Sequence, residues 1–270
     1  MDQIDHAAEL LRGGRFAILT GAGMSTDSGI PDYRGPDSPK RTPMTYQEFI
    51  GDETRRRHYW ARNHVGYRHM RSVEPNEGHR VVARLEAREQ ALGVITQNVD
   101  LLHERAGSNN VIDLHGRTDA VVCLQCQTKF PRAYIQLRLD IANPDFDVSI
   151  ADVEIAPDAD AVLAETETFN VPACEVCGGM LKPDVVFFGE NVPRHRVEKS
   201  YAMVDQGSAL LVLGSSLTVA SGLRFVNHAA RTGKPILIVN RGETRGDSLA
   251  DLKLETGTTE FLLGLERELS

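Results

Sequence analysis

Short apolar runs separated by stretches of helical periodicity set the rhythm of this chain. Residues 3–12 carry Ile4, Ala8, Leu10 and Leu11 toward one side and read as an amphipathic helix. Strand candidates follow at 16–20, 93–96, 111–113, 184–188, 209–213 and 236–239, each rich in Val, Ile, Leu or Phe. None shows the polar alternation of a half-wet sheet, so they predict a parallel sheet covered on both faces. Helical stretches at 77–91, 99–106, 194–205 and 221–232 fall between several of them. That alternation predicts an α/β fold with a doubly wound, Rossmann-like parallel sheet.

Two segments break the rhythm. Residues 36–76 open on Pro36-Asp37-Ser38-Pro39 and then turn helical and charged, with Thr45-Tyr46-Gln47-Glu48 spaced as a capping box. Residues 120–182 hold all four cysteines and a long acidic stretch from Asp152 to Glu167. Both read as insertions that pack together as a smaller lobe. The Rossmann-like domain is then built from 1–35, 77–119 and 183–270, and a cleft between lobes is the expected place for an active site.

Composition narrows the partners. With 270 residues, 41% of them hydrophobic, the chain suffices for one large domain carrying an inserted module. No apolar run reaches the roughly 18–20 residues of a membrane span, and Met1-Asp2-Gln3-Ile4-Asp5-His6 lacks a basic signal-peptide start. The expectation is a cytoplasmic protein without membrane contact. A net charge of −8 argues against non-specific nucleic-acid binding and for basic partners, although ordinary solubility charge explains it as well. The one dense basic cluster, Arg55-Arg56-Arg57-His58, reads as the wet face of a helix.

Candidate chemistry gathers at the strand ends. After the run at 16–20, Gly21-Ala22-Gly23 offers bare backbone amides to an anionic ligand, with a helix N-terminus expected behind them. The third glycine of the dinucleotide fingerprint is replaced by Thr26. Gln97, Asn98 and Asp100 follow the next strand and point into the same crevice, although Asp100 equally suits a helix cap. His115 follows the run at 111–113 and precedes Gly116, which lets another backbone approach; it is the candidate general base. His79 and His103 lie in helical stretches and read as structural. Gly214-Ser215-Ser216 offers amides and hydroxyls to a ribose-phosphate. Asn240-Arg241-Gly242 suits an adenosine ribose better than Asp37, which sits in the Pro-rich insertion.

Cys123-Leu124-Gln125-Cys126 and Cys174-Glu175-Val176-Cys177 are two Cys-x-x-Cys knuckles, the arrangement that closes a tetrahedral four-thiolate zinc site. Disulfides do not suit a chain with no sign of export, and neither pair opens a thioredoxin-like helix. An iron–sulfur site is the remaining alternative. A nucleic-acid zinc ribbon shares the spacing, but the surroundings here are acidic. With no open coordination position, such a zinc builds structure and takes no part in chemistry.

The glycine loop running on into Gly29-Ile30-Pro31-Asp32-Tyr33-Arg34 resembles the cofactor loop of the sirtuins, the NAD-dependent protein-lysine deacylases. Thr96-Gln97-Asn98-Val99-Asp100, Leu114-His115-Gly116, the paired cysteines, Val185-Val186-Phe187-Phe188-Gly189-Glu190, Gly214-Ser215-Ser216 and Asn240 follow in sirtuin order over nearly the whole chain. The resemblance implies that NAD is consumed as a co-substrate: the acyl oxygen of an acyl-lysine attacks C1′ of the nicotinamide ribose and expels nicotinamide. His115 then takes a proton from the ribose hydroxyls, while Asn98 and Asp100 position ribose, water and nicotinamide. Gln97 and Arg34 hold ribose and phosphates. Gly21, Ala22, Gly23, Thr26, Asp32, Tyr33, Gly214, Ser215, Ser216, Asn240, Arg241, Gly242 and Thr258 complete the implied NAD contacts. Deacylated lysine, nicotinamide and O-acyl-ADP-ribose are the implied products, with acyl-lysine peptide added as a strand between 186–189 and 217–219.

Tyr33, in place of a Phe found in many deacetylase members, and Gly178-Gly179-Met180-Leu181-Lys182-Pro183-Asp184 resemble the class II branch. The Tyr-x-x-Arg pair of desuccinylases falls on Asn63 and Gly66 here, while Tyr59 and Arg62 come about one helical turn early, so the resemblance implies weak desuccinylase activity. Protein mono-ADP-ribosyl transfer from the same site is the alternative reading. A non-catalytic NAD-binding module is the third, and it needs neither His115 nor the Gln97-Asn98-Asp100 set.

Overall fold

The structure is a computed structural model that describes residues 3–33, 43–146, 148 and 166–270. Along the chain it runs α1 (Gln3–Leu11), β1 (Phe16–Thr20), α2 (Tyr46–Gly51), α3 (Glu53–Ser72), α4 (Glu77–Ala87), β2 (Ala91–Thr96), α5 (Leu102–Arg105) and β3 (Val111–Asp113). It continues through β4 (Gly116–Cys123), β5 (Lys129–Pro131), α6 (Arg132–Ala142), β6 (Leu181–Val185), α7 (Arg194–Gln206), β7 (Leu210–Leu213), α8 (Ala220–Arg231), β8 (Ile236–Val239), β9 (Leu252–Leu254) and α9 (Thr258–Glu268). The described residues fall into two units, one drawn from 1–40, 74–114 and 192–270, the other from 41–73 and 115–191.

The first unit is built on a six-stranded sheet in the order β3-β2-β1-β7-β8-β9, parallel throughout. Alternate side chains of each strand enter different cores, because successive Cβ atoms point to opposite faces. Ile18, Val94, Leu211 and Leu237 pack with Leu11, Leu85 and Phe261 of α1, α4 and α9. Leu19, Ile95, Val212 and Ile238 pack with Val204 and Phe225 of α7 and α8. Burial on both faces explains the continuous apolar runs in the sequence. Strand order reverses between β1 and β7, and open α/β sheets bind ligands at the carboxyl ends of such a pair. Register places those ends level: Thr20 pairs with Thr96 and Leu213, and Leu213 pairs with Val239. Gly21, Gln97, Gly214 and Asn240 therefore leave one edge side by side.

The second unit has a three-stranded antiparallel sheet, β5-β4-β6. Residues 184–188, expected as a strand of the parallel sheet, are corrected here: the strand is 181–185 and lies at the edge of this smaller sheet. Pro183 supplies the reason, since it has no N–H for a central ladder and is tolerated at an edge, here opposite Val121. Thr45 and Glu48 form the expected capping box at the start of α2. On α3, Trp60 Nε1 donates to the Leu181 carbonyl at 3.3 Å. The buried Arg132 guanidinium lies 4.3 Å from the centre of the Tyr67 ring and 5.5 Å from that of Trp60. It donates to Gln136 Oε1 at 2.7 Å and Asn63 Oδ1 at 3.2 Å. Burial pulls its pKa down to about 10, so it remains charged at neutral pH.

Three glycines fix how the loops after β1 and β7 meet. A Cβ on Gly21 would lie 2.8 Å from the Gly214 carbonyl oxygen, and one on Gly23 would lie 2.9 Å from Gly214 Cα. Gly214 has φ +60°, and a Cβ there would sit 2.5 Å from Gly23 C and Met24 N. Gly21 N and Gly23 N donate to the Leu213 and Gly214 carbonyls at 3.0 and 2.9 Å. The glycines thus let two backbones interlock, whatever they offer a ligand. Gly214→Ala adds a left-handed non-glycine residue and a backbone clash, and is expected to lower unfolding stability by about 3 kcal/mol. Urea denaturation measures this, and an unchanged midpoint would disprove the interlock.

Candidate active site

The glycine pattern predicts an α-helix beyond Gly21, but the chain does not enter one. It makes two single 3-10 turns, Ala22–Met24 and Thr26–Ser28, and ends the second at Gly29 with φ +89°. Left-handed Gly29 closes the turn, and Pro31 has no N–H with which to extend a helix. The loop therefore has no α-helix of its own to back it. Thr26 Oγ1 and Thr258 Oγ1 both donate to the Gly23 carbonyl, at 3.1 and 3.4 Å, and hold the loop against the start of α9. Asp32 and Tyr33 follow, half-buried. Arg34 lies outside the described residues.

Around Ser25 is a buried polar network whose proton directions follow from its donors. Asn76 N donates to His79 Nδ1 at 3.3 Å, so His79 carries its proton on Nε2 and offers it to Ser25 Oγ at 3.5 Å. Asn98 Nδ2 donates to the Gly21 carbonyl at 3.0 Å and to Ser25 Oγ at 3.1 Å. Ser25 in turn donates to Asp100 Oδ2 at 2.7 Å, while Asp100 Oδ1 accepts from Leu102 N at 3.0 Å. Asp100, one residue ahead of the Leu101 N-cap of α5, thus holds the first helical amide and anchors Ser25. Burial raises its carboxyl above the usual range, against the two hydrogen bonds it accepts. With both amide hydrogens of Asn98 engaged, its Oδ1 is the atom left for a ligand.

Beneath this network the strand ends are tied together. Thr20 Oγ1 bonds Thr96 Oγ1 at 2.9 Å and His103 Nε2 at 3.1 Å, and Thr96 Oγ1 accepts from Asn98 N at 3.1 Å. The His79 and His103 rings meet edge-on, 4.8 Å between centres. Burial brings His79 down to about 3 and holds His103 well below the usual histidine range, so both are neutral. They are structural, as read from sequence, but what they structure is the Gln97–Asp100 turn. Ser25, Thr20 and Thr96 were missed. Ser25 sits inside the glycine loop, but sequence spacing gives no sign that its hydroxyl meets Asp100, 75 residues away.

Gln97 is held by its carboxamide, which donates to the Thr20 carbonyl at 3.2 Å and to Ser215 Oγ at 2.8 Å. Ser216 Oγ lies 3.1 Å from Thr218 Oγ1. At the end of β8, Asn240 Nδ2 donates to the carbonyls of Arg241 and Gly242 at 2.8 and 3.2 Å, closing its own turn. Lys253 Nζ holds that turn from below through the Asn240 and Gly242 carbonyls. The structure thus joins Gly21, Gly23, Thr26, Gln97, Asn98, Asp100, Gly214, Ser215 and Thr258 through direct contacts. Ser216, Asn240, Arg241 and Gly242 stand on the same sheet edge.

In the second unit His115 is half-buried, its carbonyl accepting from Val186 N at 2.7 Å. Gly116 has φ +93°, and a Cβ on it would fall 2.0 Å from the Asp184 carbonyl oxygen, the close backbone approach that the His-Gly pair predicts. Lys182 Nζ is buried and reaches the Val185 carbonyl and, at 3.1 Å, Glu190 Oε2, which also accepts from Phe187 N at 2.9 Å. This clasp holds 185–190 in shape.

The four cysteine thiols lie within 4.8 Å of one another, with Cys123 Sγ 3.5 Å from Cys177 Sγ and Cys126 Sγ 3.7 Å from Cys174 Sγ. A zinc ion with four Zn–S bonds of about 2.3 Å separates its sulfurs by about 3.8 Å, so the cradle fits. Each knuckle turns through one left-handed residue, Gln127 at φ +60° and Gly178 at φ +74°. A Cβ on Gly179 would stand 2.9 Å from Cys123 Sγ, so glycine lets the two knuckles close together.

The chain is similar to known proteins along most of its length. It is 56% identical to NAD-dependent protein deacetylase 1 of Mycobacterium avium (strain 104) over 264 residues, covering 97% of this chain and 94% of the relative. A solved structure of Sir2 with p53 peptide and NAD+ superposes with a TM-score of 0.75 at 31% identity, covering 97% of each chain. Another, of Sir2Tm bound to a propionylated peptide, gives 0.79 at 30% identity over the full length of both. The model of the Sir2 family matches residues 21–221, from the interlocked glycine loop through the zinc cradle to the start of α8, and the chain belongs to that family.

Proposed function

We propose that this protein removes acyl groups from protein lysine side chains in an NAD-dependent reaction, giving nicotinamide and O-acyl-ADP-ribose. The observation that carries the reading is the Gln97–Asp100 turn, locked at the point where strand order reverses with the Asn98 carboxamide oxygen left for a ligand. Membership of the Sir2 family, with a deacetylase relative at 56% identity, says which dinucleotide reaction such a site runs.

The residues fit NAD. Hydroxyls of Thr26, Ser215, Ser216 and Thr258 and carboxamides of Gln97, Asn98 and Asn240 supply the neutral donors and acceptors that riboses and a diphosphate require. Bound NAD supplies an electrophilic ribose carbon with nicotinamide as leaving group. Asn98 and Asp100 position ribose and nicotinamide, Gln97 and Arg34 hold ribose and phosphates, and His115 takes the ribose hydroxyl proton. Acyl-lysine peptide is added along 186–189, a segment whose turn at Phe187–Glu190 is held in shape by the Lys182–Glu190 clasp. Asn63 and Gly66 carry no charge to pair with an acyl carboxylate, and Asn63 Oδ1 already accepts from Arg132, which favours uncharged acyl groups. The four cysteines would hold one structural zinc. Four thiols outside any disulfide favour a reducing compartment such as the cytoplasm.

His115→Ala is expected to lower NAD-dependent deacylation at least about 100-fold while zinc content and melting temperature hold. Wild-type turnover in that variant removes His115 as the base. Mass spectrometry of acyl-lysine peptide and radiolabelled NAD in the same assay separates deacylation from ADP-ribosyl transfer, where label moves to protein without loss of the acyl group. Cys174→Ser is expected to lose zinc and stability together; full metal occupancy by elemental analysis would refute the four-cysteine assignment.

A further inference from the structure

Gly222, in the first turn of α8, differs from the glycines that hold the loops together. It is buried and helical, and its φ is not positive, so nothing in its backbone requires glycine. Nor does another backbone press on it, as Gly214 presses on Gly21 and Gly23. A Cβ at 222 would meet, as its three nearest atoms, Gln97 Oε1 at 2.5 Å, Gln97 Cδ at 2.8 Å and Gln97 Nε2 at 3.2 Å. All three belong to one side-chain carboxamide.

A helix position gains stability from alanine over glycine, because glycine loses more chain entropy on folding. At 222 the helix forgoes that gain, and what fills the space is the Gln97 carboxamide. The same carboxamide is tied to the Thr20 carbonyl and Ser215 Oγ, so it cannot yield to an added methyl group without breaking those bonds. We infer that Gly222 is a positioning residue: the missing side chain on α8 is the slot that seats Gln97 for NAD. The inference rests on Gln97 as an NAD-holding residue and adds the element that sets its place. Gly222 touches no reacting atom; its whole effect passes through Gln97.

A double-mutant cycle on the full-length protein tests this, using Gly222→Ala, Gln97→Ala and both together. NAD affinity is read by calorimetry, KM and kcat by nicotinamide release, and the melting temperature on protein without NAD. Gly222→Ala is expected to weaken NAD binding roughly tenfold, the worth of a lost hydrogen bond or two, mostly in KM for NAD and by less than about twofold in KM for peptide. In the Gln97→Ala background the same change is expected to alter NAD affinity less than about twofold. The melting temperature carries the same signature without ligand: alanine at 222 raises it when Gln97 has been truncated and fails to raise it when Gln97 is present.

Equal loss of NAD affinity in both backgrounds would overturn the inference. So would unchanged affinity in Gly222→Ala beside impaired Gln97→Ala, or a collapse in melting temperature that truncating Gln97 does not relieve. If Gln97→Ala itself leaves NAD binding and KM unaltered, Gln97 does not hold NAD, and the reading of the site falls together with the slot.

Discussion

Contact between two stretches of bare backbone is what the first unit depends on. Gly21 and Gly23 leave β1, Gly214 leaves β7, and the loops approach so closely that a Cβ on any of them would stand within 3 Å of the other's main chain. Hydrogen bonds from Gly21 N and Gly23 N complete the contact. Interlocked backbones have no rotamers to adjust, so the point where strand order reverses is held more rigidly than side chains could hold it. Everything attached to the loop inherits that fixity: Ser25 beneath it, Thr26 and Thr258 on the Gly23 carbonyl, and Asn98 on the Gly21 carbonyl.

The polar network follows from that constraint. A buried carboxyl, the His79 ring, a serine and two threonines would be expensive if left unpaired, because the interior cannot replace lost water contacts; His103, bonded to Thr20 through Nε2, keeps a buried Nδ1 with no partner among the described residues. Here the donors run in one direction, from Asn76 through His79 and Ser25 to Asp100, with Asn98 joining at the serine. Such an arrangement admits one orientation of the Asn98 carboxamide. The second unit uses the same device with different chemistry: Lys182 and Glu190 clasp the segment after β6, and four thiols close two knuckles that glycine allows to meet.

Much of this was legible in the residues. The amphipathic first helix, five of the six sheet-strand candidates, the capping box at Thr45, the paired cysteines and the close backbone approach at Gly116 all follow from local pattern. Three readings needed tertiary information. The apolar run at 184–188 predicts a strand of the parallel sheet, whereas the strand is 181–185 in the smaller sheet, since an apolar run does not say which partner it pairs with. Strands β4, β5 and β9 do not stand out in the sequence, because β4 opens on the polar run Gly116-Arg117-Thr118-Asp119 and the other two have three residues each. The expected helix after Gly23 is a pair of 3-10 turns, because packing against Gly214 overrides the dinucleotide pattern.

The sequence by itself determined the class of fold, the family and the residue types available for chemistry. Strand periodicity, glycine spacing and the Cys-x-x-Cys knuckles are local, and local pattern is what a linear chain displays. Only the tertiary structure decided what the glycines are for: Gly21, Gly23 and Gly214 make room for one another, while Gly222 makes room for Gln97. It also decided which hydroxyl reaches Asp100 and which way the Asn98 carboxamide faces. Those outcomes depend on atoms brought within 3 Å across tens to hundreds of residues of sequence, a distance that spacing along the chain does not encode.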